Sequence, residues 1–139
     1  MSLVTYRKLV MPGDLNPANT LFGGKMMAWI DEAAALYAMC QMESRNIVTK
    51  KITEIDFQEP VHSGDFLEFN ASIVKIGRTS LTIGINVTKK LRDSRVEVCS
   101  CSIVFVNLGS KGAPYHSKGT PYPHGMIESK ELDNDRVNN

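Results

Sequence analysis

A single long helix-forming segment, followed by strand patterns up to residue 108, is the feature that most restricts how this chain can fold. From about residue 21 to residue 42 good helix formers predominate, and larger or apolar side chains recur at helical spacing: Met26, Met27, Ile30, Ala33, Ala34 and Tyr37. Beyond residue 46 the pattern changes to alternation of apolar and polar residues. One helix packed on one sheet is the simplest arrangement that buries both, which predicts the α+β class.

The strand patterns predict a sheet of about five strands. A short first strand precedes the helix at residues 3–10, and four more follow it at residues 47–57, 65–76, 79–91 and 96–108. The turns between these four, at residues 62–65, 76–78 and 92–94, are too short for a helical crossover, so we expect successive strands to pair as antiparallel hairpins. In the strand at 79–91 one face is apolar and is expected in the core: Leu81, Ile83, Ile85 and Val87.

Length and composition fit one domain. The 139 residues are 42% hydrophobic and 22% charged, which is enough apolar material for one core. We assign this domain to residues 1–108. Residues 109–139 are rich in Gly, Pro, His and charge, and we expect a loop-rich and partly disordered tail there.

Several functional classes lack their usual signals. We find no apolar run long enough to span a membrane and no signal-peptide pattern in residues 1–15, so we expect a cytoplasmic protein with no membrane partner. The net charge of +1, without a concentrated basic face, argues against nucleic-acid binding. The three cysteines, Cys40, Cys99 and Cys101, are expected to be reduced and structural, and nucleotide-binding and zinc motifs are absent. We therefore expect a small-molecule partner and no metal.

Asp31 lies within the apolar part of the predicted helix. It shares one helical stripe with residues that are all small, at intervals of 4, 3, 4 and 3: Gly24, Ala28, Ala35 and Ala38. Small residues allow another backbone to approach, and an acid placed among them is partly desolvated, which raises a carboxylate pKa toward the range useful for proton transfer. The alternative is that Asp31 and Glu32 both lie on a solvated helix face.

Gly23 and Gly24 open the predicted helix. The first backbone N–H groups of a helix have no partner within it, and glycine leaves them accessible to a phosphate or a developing oxyanion. The alternative is that both glycines are small because the helix packs closely on the sheet.

Residues 11–35 read MPGDLNPANTLFGGKMMAWIDEAAA, and they resemble the signature of the hotdog-fold acyl-CoA thioesterases. Two other segments resemble the same family, namely DFQEPVHSGD at 56–65 and VKIGRTSLTIGINV at 74–87. The similarity spans about residues 6–108. Asn19 stands where the family usually has Gly, and because Asn tolerates positive φ best among the other residues, we expect the loop to keep its shape.

The resemblance implies a long central helix wrapped by an antiparallel sheet, and two subunits that pair edge to edge, with three such dimers assembling further. It implies hydrolysis of acyl-CoA to a carboxylic acid and free CoA, with Asp31 as general base or nucleophile, the amides of Gly23 or Gly24 as the oxyanion site, and Asn16 orienting water or thioester. Asp31 is eight residues beyond Gly23, about 12 Å along a helix, so a site shared between two chains is physically reasonable.

Coenzyme A is then part of the substrate, and no separate cofactor is implied. Its phosphates are expected at the turn formed by Arg78, Thr79 and Ser80, with His62 and Lys111 as weaker candidates. Two other functions are weighed on this fold. A noncatalytic acyl-CoA-binding regulator would keep the phosphate contacts but should lack the helical acid or carry a DNA-binding segment, and this chain has the acid and no such segment. A dehydratase fits poorly, because it would need a histidine near the helix, whereas the histidines are His62, His116 and His124.

Overall fold

The computed structural model describes residues 3–109, with side chains from Tyr6 onward. One helix and five strands follow one another along the chain, with a short 3-10 helix, Pro12–Asp14, after the first strand. The elements are β1 (Leu3–Leu9), α1 (Gly23–Met42), β2 (Asn46–Ile52), β3 (Phe66–Ile76), β4 (Ser80–Lys90) and β5 (Arg95–Gly109). No helix in this part of the chain is long and apolar enough to cross a membrane.

The five strands form one antiparallel sheet in the order β1-β3-β4-β5-β2. The predicted hairpins β3–β4 and β4–β5 are confirmed. The predicted pairing of β2 with β3 is wrong, because β2 pairs with β5 and lies at the far edge of the sheet. Turn residues at 62–65 indicate a bend, but a bend does not determine which strand becomes the neighbour.

The connection between β2 and β3 is longer than the alternation predicted, since β2 ends at Ile52 and not at residue 57. The chain first follows β5, where the N–H of Gln58 donates to Val98 O at 2.8 Å. It then crosses the end of the sheet to meet β1, where the N–H of Gly64 donates to Val10 O at 2.8 Å. Because of this crossover, residues 53–65, β3 lies beside β1 and is separated from β2 by β4 and β5.

Helix α1 packs against the concave face of the sheet. Its buried residues are Met26, Trp29, Ile30, Ala33, Ala34, Ala38 and Met42. They meet the inward residues of β4, Leu81, Ile83, Ile85 and Val87, which are buried as the alternation predicted. Met27 shares the helical spacing but is 44% exposed. The expected architecture of an antiparallel sheet wrapped around one helix is confirmed.

The start of the helix and the end of the predicted domain each shift slightly. The helix begins at Gly23 and not near residue 21, because the N–H of Leu21 donates to Val61 O at 2.8 Å and holds that residue outside the helix. Gly109, which the sequence assigned to the tail, is the last residue of β5. The rest of the predicted tail, with Lys111, His116 and His124, lies outside the described residues.

The cysteines are free thiols, as the sequence predicts. Cys40 is exposed, whereas Cys99 and Cys101 are buried on β5. Burial raises the pKa of the Cys99 thiol to about 12, with a further contribution from Cys101, and raises the pKa of Cys101 to about 11. Since the thiolate is the reactive form, the two buried cysteines are present at neutral pH mainly as the less reactive thiol.

Candidate active site

Asp31 lies on the side of α1 that faces the β2 edge of the sheet. The hydroxyl of Thr49, on β2, donates a hydrogen bond of 2.7 Å to Asp31 Oδ1. The carboxylate is half-buried, and within residues 3–109 it has no ion pair and no hydrogen bond to its second oxygen. Asp31 is therefore held by one neutral donor and keeps one oxygen available for chemistry.

Glu32, the next residue, points to the opposite edge of the sheet. It is exposed, and its Oε2 accepts the Tyr6 hydroxyl of β1 at 2.8 Å. Burial, and then the hydrogen bond and the negative charge of Glu32, raise the pKa of Tyr6. The alternative in which both acids share one solvated face is therefore wrong.

The start of α1 is open. Gly23 and Gly24 are exposed, and a Cβ built on either would meet no atom within 4 Å. Within a single chain, therefore, close packing of the helix on the sheet does not require glycine at these two positions. Phe22 provides no side-chain cap, and among residues 3–109 no acceptor bonds the N–H groups of Gly23 or Gly24.

A cleft of about 410 Å³ lies beside this helix start. Part of the crossover forms one wall, and the loop before α1 forms the other. The hydrogen bond from Leu21 to Val61 joins the two walls. The lining residues are Thr20, Leu21, Gly23, Phe57, Gln58, Glu59, Pro60 and Val61.

Asn16 shapes the loop that leads into the helix. Its Oδ1 accepts the N–H of Ala18 at 2.9 Å and of Thr20 at 3.2 Å, and its Nδ2 donates to Thr20 Oγ1 at 2.9 Å. Asn19, at the tip, has φ of 63°, so the expected positive φ is confirmed. One N–H of the Asn16 amide remains beyond the bond to Thr20 and is available to a ligand.

The expected CoA ligands separate into two places in a single chain. Arg78 is exposed at the β3–β4 turn, where Thr79 O accepts the N–H of Asn107 at 2.8 Å. Asn107 in turn accepts the hydroxyl of Ser44, just beyond the end of α1, so this turn lies at the C-terminal end of the helix.

His62 lies at the other end. It is exposed and follows Val61, which is bonded to Leu21 just before the helix start. Because α1 has 20 residues, the two ends are about 30 Å apart. Lys111 lies outside the described residues.

Residues 18–94 match the family model described as the thioesterase superfamily. The chain belongs to this superfamily. It is 32% identical over 134 residues to the uncharacterized acyl-CoA thioester hydrolase YkhA of Bacillus subtilis, an overlap that covers 94% of this chain and 73% of that protein. The match to the family model includes Asp31, both glycines, His62 and the turn at 78–80, but it begins after Asn16.

Solved thioesterases share the fold. The hexameric thioesterase y2039 of Yersinia pestis superposes with a TM-score of 0.79 at 27% identity, covering 90% of this chain and 97% of that one. Cj0915, a hexameric hotdog fold thioesterase of Campylobacter jejuni, superposes with a TM-score of 0.75 at 28% identity, covering 92% and 93%. The sheet wrapped around α1 is thus the hotdog fold.

The structure adds residues to the candidate site that the sequence did not single out. Thr49 contacts Asp31 from 18 positions along the chain, and no local pattern marks that pairing. The crossover provides the cleft wall at residues 57–61. The sequence indicated this crossover only through Pro60 and through the end of the apolar–polar alternation. Across residues 3–109 no group of three or more His, Cys, Asp or Glu side chains is arranged to hold a metal ion.

Proposed function

We propose that this protein hydrolyses acyl-CoA thioesters to a carboxylic acid and free CoA. The observation that carries the proposal is the half-buried Asp31, bonded to Thr49 and without a cation among residues 3–109. A partly desolvated carboxylate with one free oxygen suits a general base or a nucleophile. Membership of the thioesterase superfamily and the name of the Bacillus relative support acyl-CoA as the substrate.

Asp31 either removes a proton from water, whose oxygen attacks the thioester carbon, or attacks that carbon itself and forms an acyl anhydride that water then hydrolyses to restore the carboxylate. In both cases negative charge collects on the thioester oxygen, the C–S bond breaks to release CoA thiolate, and the thiolate takes up the proton that the water gives up. The amides of Gly23 and Gly24 are the donors for that charge, because they are accessible and unbonded within residues 3–109. A thiolate is a good leaving group, so the reaction as proposed needs no metal and no cofactor.

The site is shared between two chains in this proposal. Asp31 and Gly23 are about 12 Å apart along one helix, so they do not converge on one carbonyl within a chain. β2 is an edge strand, and an edge of unpaired N–H and C=O groups is suited to pairing with a second copy. Met27 strengthens this, because it lies one helical turn before Asp31 on the same side of α1 and is 44% exposed.

A two-fold axis at the β2 edge would reverse one helix relative to the other. The helix start of one chain, with Asn16, would then approach Asp31 and the β3–β4 turn of the other. In such a dimer the turn at residues 78–80 of one chain and Gly23 of the other can belong to one site, although the two lie at opposite ends of α1 within a single chain. We propose a homodimer as the minimal unit and three dimers as the assembly, in line with the hexameric names of the Yersinia and Campylobacter structures.

The CoA phosphates are assigned to Arg78, Thr79 and Ser80, with His62 and Lys111 as secondary candidates. Arg78 is exposed at the tip of a tight turn, where a guanidinium can make paired hydrogen bonds to phosphate oxygens. The uncharged pantetheine and acyl parts would occupy the cleft at the helix start, because Glu59 in its wall disfavours phosphate there.

Thiol release from a panel of acyl-CoAs of increasing chain length tests the function. The wild-type protein should release CoA from at least one of them, and Asp31→Asn should not. Acyl-CoA binding without release would instead support the noncatalytic regulator. Neither binding nor release across the panel would overturn the proposal.

A further inference from the structure

Two buried polar side chains join the C-terminal end of α1 to the end of β5. Ser44 is 4% exposed and Asn107 is 1% exposed. We call them the Ser44–Asn107 pair. Buried polar groups are costly unless they are hydrogen-bonded, so the bonds they make indicate what they hold in place.

The Ser44 hydroxyl is the centre of a small network. It lies within donating distance of Asn107 Oδ1, at 2.8 Å, and of Gly109 O, at 2.6 Å. It also accepts the N–H of Asn46 at 3.2 Å. The helix end, the start of β2 and the end of β5 are thereby fixed to one another.

Asn107 extends this network to the β3–β4 turn. Its backbone N–H donates to Thr79 O at 2.8 Å, and the turn is closed by the N–H of Gly77 donating to Ser80 O at 2.9 Å. Arg78 is exposed within this turn.

We infer that the Ser44–Asn107 pair positions the β3–β4 turn for the phosphates of coenzyme A. The inference rests on the proposed function, which assigns Arg78 to phosphate. Thr79 adjoins Arg78, and its carbonyl accepts the backbone N–H of Asn107, whose side chain accepts the Ser44 hydroxyl.

Amide hydrogen exchange provides a test that does not depend on activity. In Ser44→Ala the Asn107 amide, which donates to Thr79, should exchange about three- to tenfold faster, the size expected for one hydrogen bond. Ser44→Cys keeps the size of the side chain and a weak donor, so its exchange should fall between wild type and Ser44→Ala. Unchanged exchange in both variants would overturn the inference.

Steady-state kinetics tests the link to coenzyme A. Ser44→Ala should raise KM for acyl-CoA about three- to tenfold, leave kcat unchanged, and leave KM for the matching acyl-pantetheine unchanged, because the latter has no nucleotide phosphates. Arg78→Ala sets the upper limit of the effect on the same two substrates. An equal rise in KM for acyl-pantetheine would contradict a positioning role for phosphate.

Asn70→Ala is the matched control. Asn70 also bridges β3 and β4, with Nδ2 donating to Asn86 O at 3.1 Å, but it lies away from the turn. It should lower thermal stability as Ser44→Ala does and leave KM and the Asn107 exchange rate unchanged. If the wild type neither binds nor hydrolyses acyl-CoA, the proposed function fails, and the exchange data alone decide whether the pair holds the turn.

Discussion

At the β1 edge of the sheet, Glu32 accepts the Tyr6 hydroxyl at 2.8 Å, and Lys8 lies near that ring with Nζ 5.7 Å from its centroid. At the β2 edge, Asp31 accepts the Thr49 hydroxyl at 2.7 Å and has no cation beside it within residues 3–109. Glu32 is exposed, whereas Asp31 is half-buried. Each of the two adjacent acids accepts one hydroxyl, but Glu32 is the more solvated of the two.

The proposed function assigns the chemical role to Asp31, and this difference fits that assignment. Asp31 has one carboxylate oxygen without a hydrogen bond among residues 3–109 and lies beside an edge strand that is suited to pairing with a second chain. At the β1 edge, the hydrogen bond from Tyr6 to Glu32 joins β1 to α1. The β2 edge leaves both a carboxylate oxygen and the apolar side chain of Met27 accessible to a second chain.

The comparison predicts a large loss of activity for Asp31→Asn and a small change for Glu32→Gln, although both substitutions are nearly isosteric. Asp31→Asn should lower kcat by about 10²- to 10⁴-fold, the usual contribution of a general base, while fold and CoA affinity are kept. Glu32→Gln should change kcat by less than about threefold, as is typical of exposed sites. Thiol release measures both. Comparable losses in the two variants would remove the distinction between the edges.

Mixed dimers test whether the β2 edge joins two halves of a site. Asn16→Ala and Asp31→Ala should each be nearly inactive alone, but refolding them together should place both lesions in one site and neither in the other. Random pairing should restore about a quarter of wild-type activity per chain. Activity that stays at the average of the two mutants would mean that Asn16 and Asp31 act within one chain.

The sequence was sufficient for the local elements and insufficient for what tertiary structure brings together. Helical spacing predicted α1, and alternation predicted the inward face of β4, because both depend on neighbours along the chain. The place of β2 at the far edge depends on hydrogen bonds made by the crossover to β5 and β1, which turn chemistry does not specify.

The candidate site shows the same limit. The accessible glycines at the helix start could be predicted, because a Gly-Gly pair ahead of a run of helix formers is a local property of the sequence. The contact from Thr49 to Asp31 could not, because it requires β2 to run beside α1 at the edge of the sheet. The opposite directions of Asp31 and Glu32 likewise follow from which strands flank the helix.

Removing the Thr49 hydroxyl should produce a smaller loss than removing the acid. Thr49→Val keeps the shape of the side chain but leaves Asp31 Oδ1 without its donor, and kcat should fall about three- to tenfold. Thr49→Ser restores the hydroxyl and should stay near wild type. A change in KM alone, with kcat intact, would mean that Thr49 contacts the substrate and does not orient Asp31.

The smallest effect is expected at the β1 edge, from Tyr6→Phe. The variant loses the hydrogen bond to Glu32, which is partly exposed, so the free energy of unfolding should drop by less than about 1 kcal/mol and kcat should hardly change.

The pKa of Tyr6 is raised above its ordinary value of 10.0 by burial and by Glu32, so the fold favours the neutral phenol. This stabilisation is present in full below pH 10.0 and is lost as the pH rises through the raised pKa. The difference in stability between wild type and Tyr6→Phe, measured by denaturant unfolding, should therefore be constant near neutral pH and disappear in strong alkali. In Glu32→Gln the hydrogen bond persists without the charge, and a titration of tyrosinate absorbance should show a lower Tyr6 pKa than in wild type. A Tyr6 pKa that does not respond to Glu32→Gln would mean that burial and the hydrogen bond set it, and the charge of Glu32 would then contribute nothing to the comparison with Asp31.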